Sequence, residues 1–285
     1  MTTPAAKAAT LEFKLPPPAV TRVIAIALQK GGVGKTATAV NLGAALALGG
    51  LRVLVIDLDP QGNATSGLGV TVDPDDATMY EALHYDRDER VPLVEVIKPG
   101  PYGVDVAPAG GRAHARLDRE GLGTGGEIRF RKQVGSIEGY HYILLDLPPS
   151  LGSMTVAGLS AADDVLVAMK PGPDEVEGLV ELNKTIADVQ DSFNDDLEIG
   201  YMLATDYDGR TQVAKDIRNL LIRDWGEWDE GGMYVGAISH TVRVPEAKQK
   251  KMPVHVHAPD CTAVEDYISV AKRIAERLAE GKATA

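Results

Sequence analysis

Eight residues, Gln29-Lys30-Gly31-Gly32-Val33-Gly34-Lys35-Thr36, follow directly on the apolar run from Val23 to Leu28. Three glycines let such a backbone curl until its N–H groups converge on one small anion, and a helix starting at Lys35 adds the positive end of its dipole. The natural occupant is a polyphosphate. Backbone amides of Gly31, Gly32, Val33, Gly34 and Ala37 would cradle it, Lys35 would reach the outer phosphates, and the Thr36 hydroxyl would ligate the Mg²⁺ that neutralises them. The loop is therefore expected to bind a nucleotide.

Two further segments carry carboxylates to the ends of apolar runs. Arg52-Val-Leu-Val-Ile-Asp57-Leu-Asp59-Pro60-Gln61-Gly62-Asn63-Ala64-Thr65 places Asp57 and Asp59 two residues apart, on one face of an extended chain. Close carboxylates repel unless a cation lies between them, and Mg²⁺ on a phosphate chain is such a partner. Tyr142-Ile-Leu-Leu-Asp146-Leu-Pro148-Pro149-Ser150 is a third apolar run ending in an aspartate, followed by a proline pair that forbids helix and stiffens the turn.

Positioning these groups requires strands that end side by side. From Val23 onward β-branched runs alternate with helical stretches: strands at Val23–Leu28, Arg52–Leu58, Val104–Ala107, Tyr142–Leu147, Val165–Met169, Ile199–Thr205 and Tyr234–Ile238. Helices are expected at Lys35–Leu48, Ser153–Ala161, Glu175–Gln190, Thr211–Trp225 and Ala263–Ala279. The alternation predicts an α/β fold, a mostly parallel twisted sheet with helices on both faces, whose ligands sit at the carboxyl ends of the strands. Asp73 to Pro101 and Gly110 to Gly126 resist the pattern and read as surface excursions, with Arg112, Arg116 and Arg119 on a solvated face.

A chain of 285 residues suits one large core, and the expected division is a flexible extension over 1–21 and a single domain over 22–285. No apolar run reaches membrane-spanning length, and the first ten residues lack a signal peptide's regions, so a cytoplasmic protein is expected. With Cys261 the single cysteine, no disulfide or Cys-based cluster forms within one chain. The formal charge of −12 argues against a uniformly basic nucleic-acid binder. Between His240 and His257, however, Arg243, Lys248, Lys250 and Lys251 face only Glu246, a local +3 in a chain otherwise at −15.

The run Lys-Gly-Gly-Val-Gly-Lys-Thr, with Lys30 where a generic phosphate loop begins on glycine one residue earlier, resembles the deviant Walker A motif of the ParA/MinD family. The Asp57 to Thr65 segment is similar to that family's switch I, and Tyr142 to Ser150 to its Walker B and switch II. The resemblance covers about Val20 to Leu278 and implies a P-loop NTPase-like fold with ATP and Mg²⁺ as cofactors. It implies that Asp57 and Asp146 hold Mg²⁺ through water beside Thr36. Asp59 would orient or deprotonate the attacking water, and Lys30 would cross a dimer interface to the partner's nucleotide. Lys30, Lys35 and Asp59 are thus the expected catalytic set.

Three departures accompany the resemblance. Ala37 stands in place of a second threonine. Ser239 and Thr241 stand where the family lines the adenine with proline and asparagine. Pro171-Gly172-Pro173-Asp174 replaces a Glu-Tyr-Tyr-like segment, so this edge of the site or dimer surface is expected to be built differently. Lys248, Lys250 and Lys251 lie where DNA-segregating members touch DNA phosphates, with Arg243 beside them, and Arg218 and Arg223 would extend the patch.

Within the family, the cysteine count excludes an iron-protein or cluster scaffold, and the C-terminal stretch lacks the bulky apolar side of a membrane-targeting helix. What remains is a ParA-type partition ATPase: an ATP-bound homodimer on non-specific DNA, nucleoid-associated, stimulated by a ParB-like partner and segregating plasmid or chromosome DNA. Positioning of a protein cluster or microcompartment is the alternative with the same engine. A small-molecule ligase of the dethiobiotin synthetase kind is the alternative of another class.

Overall fold

The structure is a computed structural model and describes residues 13–280. Its strands are β1 (Arg22–Ala27), β2 (Val53–Asp57), β3 (Val104–Ala107), β4 (Tyr142–Asp146), β5 (Asp164–Met169), β6 (Glu198–Tyr207) and β7 (Tyr234–Ser239). They form one sheet in the order β3-β2-β4-β1-β5-β6-β7, every neighbouring pair parallel. The helices, in chain order, are α1 (Lys35–Leu48), α2 (Asn63–Gly67), α3 (Met79–Leu83), α4 (Leu93–Val96), α5 (Gly111–Glu120), α6 (Gly126–Gly135), α7 (Ser153–Ala161), α8 (Pro173–Ser192), α9 (Gln212–Trp225), α10 (Arg243–Gln249), α11 (Val254–His257) and α12 (Thr262–Ala279).

Continuous apolar strands are what a sheet covered on both faces requires, because successive side chains point to opposite sides. In β1, Val23, Ala25 and Ala27 join one core layer with Leu182 and Ile186 of α8 and Phe130 of α6. Ile24 and Ile26 join the opposite layer, built from α1 and α12. The last helix presents Tyr267, Ile274 and Leu278 to that second layer, so it docks on the core as its pattern predicts.

The N-terminal lead-in is anchored in its described part. Leu15 is buried and donates its N–H to the Gly49 carbonyl at the end of α1 (2.9 Å), with Phe13 packed beside it. Residues 1–12 of the expected extension lie outside the described residues.

The two stretches read as surface excursions contain more structure than expected. Met79, Ala82 and Leu83 of α3, Leu93 and Val96 of α4, and His114 and Leu117 of α5 are all buried in or against the first layer. Each helix is too short, at four to ten residues, for a periodic apolar stripe to register in sequence. The capping box of Thr78 and Glu81 at the start of α3 was the available signal. Arg112, Arg116 and Arg119 do lie exposed along α5.

Candidate functional site

The loop between β1 and α1 takes the conformation that its glycines permit. Gly32 and Gly34 have φ of +80° and +95°, a region that side chains disfavour. A Cβ on Gly34 would also lie 3.0 Å from Thr205 of β6. The Thr205 hydroxyl donates to the Val33 carbonyl at 2.5 Å, which ties the loop to a strand two places across the sheet.

Lys35 is buried, and its ammonium donates to the carbonyls of Leu28 (2.9 Å) and Lys30 (2.8 Å). Burial lowers its pKa, an effect that Asp146 and Asp59 oppose. Lys35 therefore closes back on its own loop.

Parallel register sets Asp57 directly beside Asp146 on neighbouring strands. The two carboxylates are nonetheless held differently. Asp57 Oδ2 accepts from the Thr65 N–H (2.8 Å) and hydroxyl (2.7 Å), and Oδ1 accepts from the Asp59 N–H (3.2 Å). Thr65 in turn accepts from the Ala109 N–H (3.1 Å), so this carboxylate organises the whole turn after β2. Burial pushes the Asp57 pKa up to about 7.

Neither oxygen of buried Asp146 has a well-formed hydrogen bond. Burial, and next the Asp57 charge, push its pKa well above the carboxylate range, with Thr36 and Lys35 pulling partway back. A buried carboxylate with both oxygens orphaned is costly unless a cation or donor faces it. That fits Mg²⁺ carried in on a phosphate chain, with Thr36, Asp57 and Asp146 around it. Among the described residues no cluster of three or more His, Cys, Asp or Glu stands ready to hold a metal alone.

A cavity of about 490 Å³ opens over these strand ends. Gly31 to Ala37 line it, as do Asp59, Ser239 and Thr241, so the structure brings together the expected phosphate loop, water-activating and base-side residues. Asp57 and Asp146 sit behind this wall, and Lys30 does not line the cavity at all. Residues that the sequence did not flag complete it, among them Val40 and Asn41 of α1, Thr205 and Asp206 of β6, Pro245 and Met252 around α10, and Tyr267 of α12. They come from helices, a strand end and a turn far apart in sequence, and the sheet order and helix packing bring them together.

The expected DNA-contacting residues divide into two groups. Each of the three arginines has a carboxylate partner in its own chain: Arg218 with Glu227 (3.4 Å), Arg223 with Asp224 (2.6 Å) and Arg243 with Glu246 (2.8 Å). Arg218 also lies over the Tyr234 ring, 5.4 Å from its centroid. Lys248, Lys250 and Lys251 are exposed at the end of α10 and just beyond. Lys248 also borders the nucleotide cavity, while Lys250 lies 3.3 Å from His257, which in turn faces Glu246 at 3.0 Å.

A parallel sheet, a left-handed glycine loop closed by a buried lysine, and paired aspartates at adjacent strand ends define a P-loop nucleotide-binding protein. Residues 21–199 match the family described as AAA domain. The chain is 37% identical over 257 residues to the sporulation initiation inhibitor protein Soj of Bacillus subtilis, covering 89% of this chain and 98% of that protein. It is 38% identical over 272 residues to the chromosome partitioning protein ParA of Caulobacter vibrioides, covering 93% and 97%. The chain belongs to the ParA/MinD family of P-loop ATPases and is of the ParA type.

Among solved structures, cobyrinic acid a,c-diamide synthase of Mycobacterium smegmatis with bound ATP analogue and magnesium superposes with a TM-score of 0.75 at 30% identity, covering 92% of this chain and 98% of that one. A Cyanothece McdA–ATP complex superposes at 0.76 with 19% identity, covering 89% and 96%, and shows the fold alone. ATP and Mg²⁺ fit the site. Among the described residues no helix is long and apolar enough to cross a membrane.

Proposed function

We propose that this chain is a partition ATPase that pairs with a second copy when ATP is bound, grips DNA without regard to sequence, and lets go on hydrolysis. The observation that carries the reading is the opposite placement of the two loop lysines. Lys35 lines the cavity of its own chain, whereas Lys30 lies outside it on the surface. A lysine in the phosphate loop that does not face its own nucleotide is available to another's.

In this reading Lys35 gives up the Leu28 and Lys30 carbonyls for the outer phosphates, and the loop amides hold the rest of the chain. Mg²⁺, when bound, neutralises phosphate charge beside Thr36, Asp57 and Asp146. Asp59, whose Oδ1 accepts from the Gln61 N–H at 2.9 Å, keeps its other oxygen to orient the attacking water. Loss of the γ-phosphate relaxes the turns after β2 and β4, and the dimer opens.

DNA is held by Lys248, Lys250 and Lys251 from each subunit, two weak patches that gain by being joined. The arginines Arg218, Arg223 and Arg243 contribute only where DNA phosphates displace their carboxylates. A ParB-like partner accelerates hydrolysis, and the protein works in the cytoplasm on the nucleoid.

The test is DNA retention by the full chain with Mg²⁺ and ATPγS against ADP. Retention only with ATPγS, lost in both Lys30→Ala and Lys35→Ala, is the expected result; retention that ignores nucleotide or either lysine overturns it. The likeness to a diamide synthase supports a second reading, ATP-dependent amidation of a small acid. That reading expects turnover to follow the acid and to be indifferent to DNA and to Lys30.

A further inference from the structure

The Lys30 side chain runs from the loop to the first turn of α8. Its ammonium lies 3.1 Å from Asp174 Oδ2 and 3.1 Å from Glu175 Oε1. Asp174 closes the Pro171-Gly172-Pro173-Asp174 segment that departs from the sequence expected of the family, and Glu175 follows it directly. They differ in setting: the Asp174 side chain is 78% exposed and that of Glu175 only 10%.

The arrangement is built into the packing. A Cβ on Gly172 would lie 2.3 Å from Glu175 Oε2, so glycine there leaves room for this carboxylate to fold back over the start of the helix. A Cβ on Gly178 would lie 3.2 Å from the Gln29 carbonyl, so α8 rides against the backbone next to Lys30. The hydrogen bond to Glu175, before that to Asp174, raises the Lys30 pKa above the ordinary lysine value.

Both loop lysines are therefore satisfied within one chain. Lys35 holds the Lys30 carbonyl and Lys30 holds the two carboxylates. In the reading above, nucleotide entry would draw Lys35 from that carbonyl and so loosen the backbone that carries Lys30.

We propose that Asp174 and Glu175 form a latch that keeps Lys30 on its own subunit, so that pairing of two ATP-loaded subunits requires Lys30 to exchange these carboxylates for the partner's nucleotide phosphates. The proposal rests on the dimer reading above and adds its regulation: the latch opposes pairing until nucleotide is in place and closes again once phosphate has left. Two latches open for each dimer formed, so an effect on one counts twice in the dissociation constant.

The test is sedimentation velocity of the full chain with Mg²⁺ and ATPγS, comparing the parent with Asp174→Asn and Asp174→Asn/Glu175→Gln. The dimer dissociation constant is expected to fall about fivefold in the single variant and by about tenfold or more in the double, as loss of exposed ion pairs allows. Affinity of dilute monomer for a fluorescent ATP analogue stays unchanged, and adding Lys30→Gln abolishes the gain. Because Asp174 is exposed, its variant leaves the packing of Glu175 intact. A parent that dimerises while Asp174→Asn dimerises no better overturns the latch and leaves the dimer standing. A parent that stays monomeric in ATPγS overturns both.

Discussion

The carboxyl edge of the sheet is built in two ways on the two sides of β1. At β2 and β4 it carries carboxylates buried in parallel register, one of them without a hydrogen-bond partner. At β5, β6 and β7 it carries carboxylates already partnered at or near the surface: Asp206 with Lys170 (2.7 Å) and with His240 (2.6 Å), and beyond β5 exposed Asp174 and largely buried Glu175 with Lys30. Burial raises Asp57 and Asp146, whereas Lys170 and His240 hold Asp206 below the usual carboxylate range even though partial burial acts upward. The buried side is left with a carboxyl that only a proton or a cation can satisfy. The exposed side is already neutralised and exchanges partners at small cost, because surface pairs are weak. In the proposed cycle, chemistry falls where charge is expensive and assembly where it is cheap.

The largest effect should come from the orphaned carboxylate. Asp146→Asn should stabilise the ligand-free protein by about 2 kcal/mol in urea melts, because a buried carboxyl whose pKa burial has raised costs folding free energy that a neutral amide does not. The same change should weaken Mg²⁺-dependent ATP binding by about a hundredfold or more in calorimetry. An absence of gain in stability would break the contrast between the two sides.

Acid stability sharpens it further. Burial lowers both His114, on α5, and His255, on α11, to about 4, against 6.5 for an ordinary histidine. Below 6.5 the unfolded chain takes up protons that the folded one refuses, so this stability is present above 6.5 and drains away as pH falls toward 4. Between pH 7 and pH 5 each contributes about 2 kcal/mol. His114→Asn and His255→Asn should each shrink the pH 7 to pH 5 difference by that amount, and a variant that leaves the difference unchanged would show that its histidine titrates in the fold.

Thr205 joins the two sides, since it reaches from β6 to the phosphate loop. Thr205→Val should weaken binding of a fluorescent ATP analogue by about fivefold, the worth of one hydrogen bond, and Thr205→Ser should restore it. Smallest are the DNA effects. Lys250→Ala and Lys251→Ala should each lower the slope of log affinity against log salt by about 1, while Arg223→Ala, already paired with Asp224, should leave it unchanged.

Much of the fold was legible because strong periodicity survives without context. Lys35–Leu48, Val104–Ala107 and Ser153–Ala161 were expected with the bounds that the structure has. The loop from Lys30 to Thr36 and the aspartates that end β2 and β4 were legible because each adjoins an apolar run whose end is marked by Gly or Pro. The short helices α3 to α5 were not, since a turn or two of helix held by a few buried side chains leaves no period to read. Nor was the far wall of the cavity, which Thr205, Pro245, Met252 and Tyr267 reach from segments distant in sequence.

The sequence alone determined that a polyphosphate would be held by backbone amides at the end of β1 with two aspartate-bearing strands nearby, because loop curvature and strand alternation are local properties of the chain. Tertiary structure decided which carboxylate would be satisfied and which left bare, and to what Lys30 would be tied. Those outcomes depend on which strand ends lie side by side and which helix starts beside them. Asp57 found Thr65 within its own turn, Asp146 came to lie beside Asp57 across the sheet, and Lys30 met α8 more than 140 residues later in the chain. Register and helix packing, which no local pattern encodes, set those distances.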